Sequence, residues 1–115
     1  MVSVEVTGQF ECKRKPGTAV FVELRERDVF KDDILSWTTV DAQHPFKLRG
    51  EEYEIFDVEP YLLVKHDCSD VNQELTINLG KVRGDTKFEL GKISLADQTD
   101  KGVEDDSAQK TQNFT

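Results

Sequence analysis

Residues 2–12 alternate in polarity without a break. Val2, Val4, Val6, Gly8, Phe10 and Cys12 share one parity, and Ser3, Glu5, Thr7, Gln9 and Glu11 share the other. A period of two over this length is the signature of a half-buried β-strand. Lys13-Arg14-Lys15-Pro16-Gly17 follows, and Pro-Gly suits the two central positions of a type II turn.

The same reading continues down the chain. Strands are expected over about 19–27, with Val20, Val22 and Leu24 inward, and over 34–40. A short strand is expected at 46–48, closed by an Arg49-Gly50-Glu51 turn, and another at 53–58. Good strands follow at 61–66, with Leu62, Val64 and His66 on one face, and at 73–79, with Leu75, Ile77 and Leu79 inward. The last spans about 86–95. Phe88 and Leu90 fall on one parity and Ile93 and Leu95 on the other, so a β-bulge is expected at Gly91-Lys92. No segment carries helical periodicity. The expected fold class is all-β: a sandwich or open barrel of seven or eight antiparallel strands over residues 1–96. Residues 97–115 are acidic and poor in large apolar side chains, and are expected to form a solvated tail.

A chain of 115 residues supports one such domain. The formal charge of −8 argues against nucleic acid, which selects a dense basic surface, and against simple polybasic attachment to anionic lipid. Contact with an anionic membrane would need a bound cation to offset repulsion. No apolar run approaches the ~20 residues of a membrane helix, and no leader pattern precedes the first strand. Cys12 and Cys68 suit either one disulfide, closing a loop of about 55 residues, or two buried thiols. Asn113-Phe114-Thr115 is a glycosylation sequon at the very end.

Three blocks, with a closing strand, carry a resemblance to the nematode transthyretin-like family. They are Val6-Thr7-Gly8-Gln9-Phe10-Glu11-Cys12; Val22-Glu23-Leu24 with Asp32-Asp33-Ile34-Leu35; and Ile55, Pro60-Tyr61-Leu62 and His66-Asp67-Cys68. Leu90-Gly91-Lys92-Ile93-Ser94-Leu95 resembles the family's last strand. The resemblance implies a secreted, extracellular, transthyretin-like β-sandwich with a Cys12–Cys68 disulfide. One member of that family is a bridging molecule that binds phosphatidylserine on dying cells and presents it to a phagocytic receptor, and the length and acidic loop of this chain resemble that member, so the same role is expected here. Two departures stand out. The stretch 69–74 has no further cysteine. His44 occupies a turn position where the family has Gly, which questions the turn geometry because a non-Gly residue resists positive φ.

Counting every expected strand as a full crossing puts Cys12 and Cys68 at opposite ends. The bridge then requires 53–58 or 46–48 not to cross. The same count would bring Asp67-Cys68-Ser69-Asp70 beside Asp28–Asp33.

The main candidate site is the loop Arg27-Asp28-Val29-Phe30-Lys31-Asp32-Asp33. Asp28, Asp32 and Asp33 are placed to share a hard cation such as Ca²⁺, which takes several oxygen ligands. Val29 and Phe30 would enter a lipid interface while Arg27 and Lys31 meet phosphate. The plain alternative is a solvated turn with Phe30 folded onto the core. Phe88, Leu90, Ile93 and Leu95 are the candidate receptor surface, with core packing as the simpler reading. His66 reads as a satisfied core histidine, His44 as an exposed turn residue, and Trp37 as core or sheet surface.

Catalysis is not expected. The two histidines are far apart, no Ser-His-acid spacing occurs, and the His-rich set and terminal Tyr-Arg-Gly-Ser of the fold's purine-pathway hydrolases are missing. A carrier of a small apolar ligand and a protein-interaction domain without a lipid role remain as alternatives. A homodimer stays open.

Overall fold

A computed structural model describes residues 1–53 and 57–95. The expected acidic tail, with Asn113, lies outside the described residues. Seven strands form: β1 (Val2–Glu11), β2 (Ala19–Glu26), β3 (Asp33–Asp41), β4 (Pro45–Glu52), β5 (Pro60–His66), β6 (Gln73–Asn78) and β7 (Thr86–Ser94). They make a β-sandwich of two sheets, ordered β4-β1-β7 and β3-β2-β5-β6. All pairs are antiparallel except β1 and β7, which run parallel. That exception corrects the expected all-antiparallel arrangement. It follows from β7 entering the first sheet at the end where β1 begins: Thr86 faces Val4 and Ile93 faces Phe10.

The alternation seen in the sequence becomes the core. Val4, Val6, Phe10 and Cys12 of the first sheet are fully buried, as are Val20, Val22, Leu24, Leu62 and Val64 of the second. Phe10 stacks on Phe46, with ring centroids 4.9 Å apart. The bulge in β7 is present. Thr7 faces Glu89 but Gln9 faces Lys92, so Leu90 and Gly91 share the space opposite Gly8. Gly91 takes φ 68°, a left-handed conformation that glycine adopts without strain.

Two expectations about the middle of the chain change. Arg49-Gly50-Glu51 is not a turn, because β4 continues through it to Glu52. Gly50 sits at an inward position, where a Cβ would stand 2.5 Å from the Leu35 Cβ. The glycine is there for close approach between β4 and β3, not for bending. Conversely, Tyr53 and Asp57 lie outside any strand, and Val58 makes only an isolated bridge to Val82. β4 therefore ends, and β5 begins, at the same end of the two sheets.

That resolves the strand count. Cys12 and Cys68 meet at one end of the sandwich in a disulfide, with Cα atoms 5.8 Å apart. Lys15 reaches Asp67 at 3.3 Å and Asp70 at 2.9 Å, and Arg14 reaches Asp70 at 2.7 Å. The nearby turn is also settled. Its left-handed residue is Gln43, at φ 72°, not His44. Gln43 is held there by its N–H to the Phe10 carbonyl (2.6 Å), its side-chain amide to the Cys12 carbonyl (3.3 Å), and the Gly17 N–H donated to its Oε1 (3.0 Å).

Both cysteines are buried and the bond joins β1 of one sheet to the end of β5 in the other. Replacing both by serine is expected to cost about 2–4 kcal/mol. Urea denaturation should show the midpoint falling and the slope steepening, because the unfolded chain loses its cross-link and exposes more surface. An unchanged midpoint would mean the packed sheets hold this end without the bond.

Candidate functional site

The end opposite the disulfide gathers three connections. Residues 27–32 join β2 to β3, 53–59 join β4 to β5, and 79–85 join β6 to β7. The register places them together: Glu26 faces both Asp33 and Pro60, Tyr61 faces Asn78, and Val2 faces Glu52. The loop Asp67–Asp70 is at the disulfide end. The expectation that it could complete a site with Asp28–Asp33 is therefore overturned by the same strand count that allows the bridge.

The β2–β3 loop is tied down on both sides of its tip by one side chain, Tyr61. The Arg27 guanidinium lies over the Tyr61 ring, 4.2 Å from its centroid. The Tyr61 hydroxyl donates to Asp32 Oδ2 at 2.6 Å. Arg27 also donates to Asn78 Oδ1 at 2.5 Å and lies 3.6 Å from Glu59. Within the loop, the Asp28 N–H donates to Asp32 Oδ1 (3.1 Å) and the Val29 N–H to Asp28 Oδ1 (2.5 Å). These bonds leave the tip in water. Val29 is 88% exposed and Phe30 96% exposed. Phe30 does not fold back onto the core.

The three aspartates of the loop do not form one ligand set. Both oxygens of Asp32 are already occupied as acceptors, and one oxygen of Asp28 accepts from Val29. Asp33 instead comes together with Glu26 and Glu52, whose carboxylate oxygens and its own lie within 4.8 Å of one another. Glu26 and Glu52 continue the inward parities of β2 and β4, so these acids close the sandwich interior at this end. Sequence spacing could not join Glu26, Asp33 and Glu52, because Glu52 arrives through a different sheet. The usable signal was parity: Leu48, Gly50 and Glu52 all point inward once β4 is extended.

The other candidates separate cleanly. Ile93 and Leu95 are buried, and Phe88 and Leu90 are partly buried against the core. Their side chains complete the interior. Trp37 and Ile34 are exposed instead, at 62% and 51%, on the outer face of the four-stranded sheet. A bulge between Leu24 and Arg25 pairs Arg25 with Ile34 and Glu23 with Trp37, which keeps both apolar residues outward. His66 is buried and its Nδ1 accepts the Cys68 N–H at 3.1 Å. Burial lowers its pKa, so it stays neutral.

The fold is a β-sandwich tied at one end by a disulfide, with an exposed apolar loop tip at the other. The chain belongs to the transthyretin-like family: the family model described as TTR-52, transthyretin-like family, matches residues 7–91. Similar proteins include three from Caenorhabditis elegans. Transthyretin-like protein 1 is 34% identical over 76 residues, covering 59% of this chain and 49% of that protein. Transthyretin-like protein 16 is 38% identical over 68 residues, covering 58% and 52%. Transthyretin-like protein 33 is 32% identical over 105 residues, covering 81% and 73%. The chain spans about half the length of the first of these relatives. Among solved structures, a 9R-lipoxygenase from Cyanothece overlays with a TM-score of 0.42 at 17% identity, over 79% of this chain and 16% of that one.

The Tyr61 hydroxyl, then the Asp28 N–H, hold the Asp32 carboxyl below the ordinary carboxylate range. A depressed pKa contributes stability above the unfolded value and loses it as pH falls through the folded value. For Asp32 that loss lies below pH ~4. In Tyr61→Phe the Asp32 midpoint should rise toward the ordinary value, and the loop should loosen at higher pH. Carboxyl-detected NMR titration of both proteins checks this; equal midpoints would show that the hydroxyl does not hold the loop.

Proposed function

We propose that this chain is a secreted, non-enzymatic adaptor that binds anionic lipid, by preference phosphatidylserine on dying cells, and presents it to a phagocytic receptor. The observation that carries the reading is the loop tip. Two consecutive large apolar side chains, Val29 and Phe30, stand in water on a bonded loop between Arg27 and Lys31. Burying two such side chains in a lipid interface stabilises by roughly 3–5 kcal/mol. That is too little for firm attachment alone, so the head groups must contribute. Arg27 and Lys31 supply the phosphate contacts. A divalent cation such as Ca²⁺ bridges the head group to the carboxylates exposed at this end. The disulfide supports an oxidising, extracellular setting. For the receptor, the exposed Trp37 and Ile34 of the outer sheet face favour that surface over β7, whose apolar side chains are turned inward.

Co-sedimentation with vesicles tests this. The protein should bind phosphatidylserine–phosphatidylcholine vesicles and not phosphatidylcholine alone, and a chelator should weaken binding. Replacing Val29 and Phe30 by serine should cost a further ~30-fold or more, since each ~1.4 kcal/mol is tenfold. Equal binding to both vesicle types, or none, sinks the lipid reading and leaves a protein-interaction domain.

A further inference from the structure

We propose that the lipid contact is two-pronged, and that Tyr53 is its second prong. This rests on the lipid reading above and adds a residue to that site. Tyr53 is 79% exposed and directly follows Glu52 at the end of β4. The Glu52 carboxylate lies within 4.8 Å of those of Glu26 and Asp33, the residues on either side of the β2–β3 loop. The two exposed aromatic side chains, Phe30 and Tyr53, therefore rise from opposite sheets at the same end. The opposite end carries a single exposed large apolar residue among the described ones, Val71.

The arrangement suits a bilayer better than a protein. A protein interface core is a packed, continuous apolar patch. Here the apolar groups stand on separate tips with acids between them. Four cations stand among the acids of this end: Arg27 and Lys31 on one loop, with Arg27 3.6 Å from Glu59, and Lys81 and Arg83 on the β6–β7 loop, where Arg83 pairs with Asp57 at 2.8 Å. Apolar tips that enter the acyl boundary, with cations level with the phosphates, match the layering of an anionic leaflet. Tyrosine is suited to that boundary, with an apolar ring and a hydroxyl that stays hydrated. Two prongs set apart also fix orientation. A single loop lets the domain swivel on the membrane; a second contact from the other sheet holds the long axis upright and keeps the outer sheet face with Trp37 clear of the bilayer for a receptor.

Single-tryptophan variants test the proposal. Trp37→Phe removes the native tryptophan, and Phe30→Trp or Tyr53→Trp is then added; both positions are exposed, so the fold should tolerate either. Each protein is mixed with phosphatidylserine vesicles containing brominated or plain phosphatidylcholine. The expected result is quenching by the brominated lipid at both positions, together with a roughly tenfold loss of vesicle binding in Tyr53→Ala. Quenching at position 30 alone overturns the second prong and leaves the loop reading standing. Quenching at position 53 alone overturns the loop reading and the paired contact with it. Quenching at neither overturns both.

Discussion

The bond between Cys12 and Cys68 gives the molecule its two ends. It joins the end of β1 to the end of β5, and these strands lie in different sheets. Two sheets packed by side chains alone could slide or splay at their margins. A covalent tie at one margin, reinforced by Lys15 between Asp67 and Asp70, fixes their relation there. The chain satisfies that tie because β4 ends and β5 begins at the same end of the sandwich. The connections 27–32, 53–59 and 79–85 then all fall at the far end.

The far end is built differently. Its interior is closed by the carboxylates of Glu26, Asp33 and Glu52 rather than by a covalent link. Its loops are held by polar and ring contacts, of which Tyr61 makes the most telling. One face of that ring carries Arg27, its hydroxyl holds Asp32, and the four residues between include the exposed Val29 and Phe30. An apolar tip held this way loses little further freedom on binding, which lowers the cost of association. Rigidity at one end and apolar, charged tips at the other are what a two-sided adaptor needs.

Much of this was written locally. The parity of 2–12 defined β1 and its buried row, and the phase slip at Gly91 marked the β7 bulge, because both depend only on neighbours along the strand. Gly50 was misleading. As a sequence signal it reads as a turn, but its small size serves Leu35, a neighbour in another sheet that no local pattern identifies. The parallel pairing of β1 with β7, the Tyr61 anchor and the three-carboxylate cluster share that character. Each joins residues far apart in the chain, and each appears only when the strand order is known. The exposure of Phe30 is a related case. Composition permitted it to fold back, and the hydrogen bonds of Asp28 and Asp32 decided otherwise.

The central claim is that ligand is met at the end opposite the disulfide. Backbone amide NMR of the folded protein, titrated with nanodiscs containing phosphatidylserine, tests it most directly. The account predicts perturbations confined to residues around 27–32, 53 and 79–85, with the amides of 13–17 and 67–70 unmoved. Perturbations centred on the disulfide end, or on the sheet face around Trp37, would contradict it.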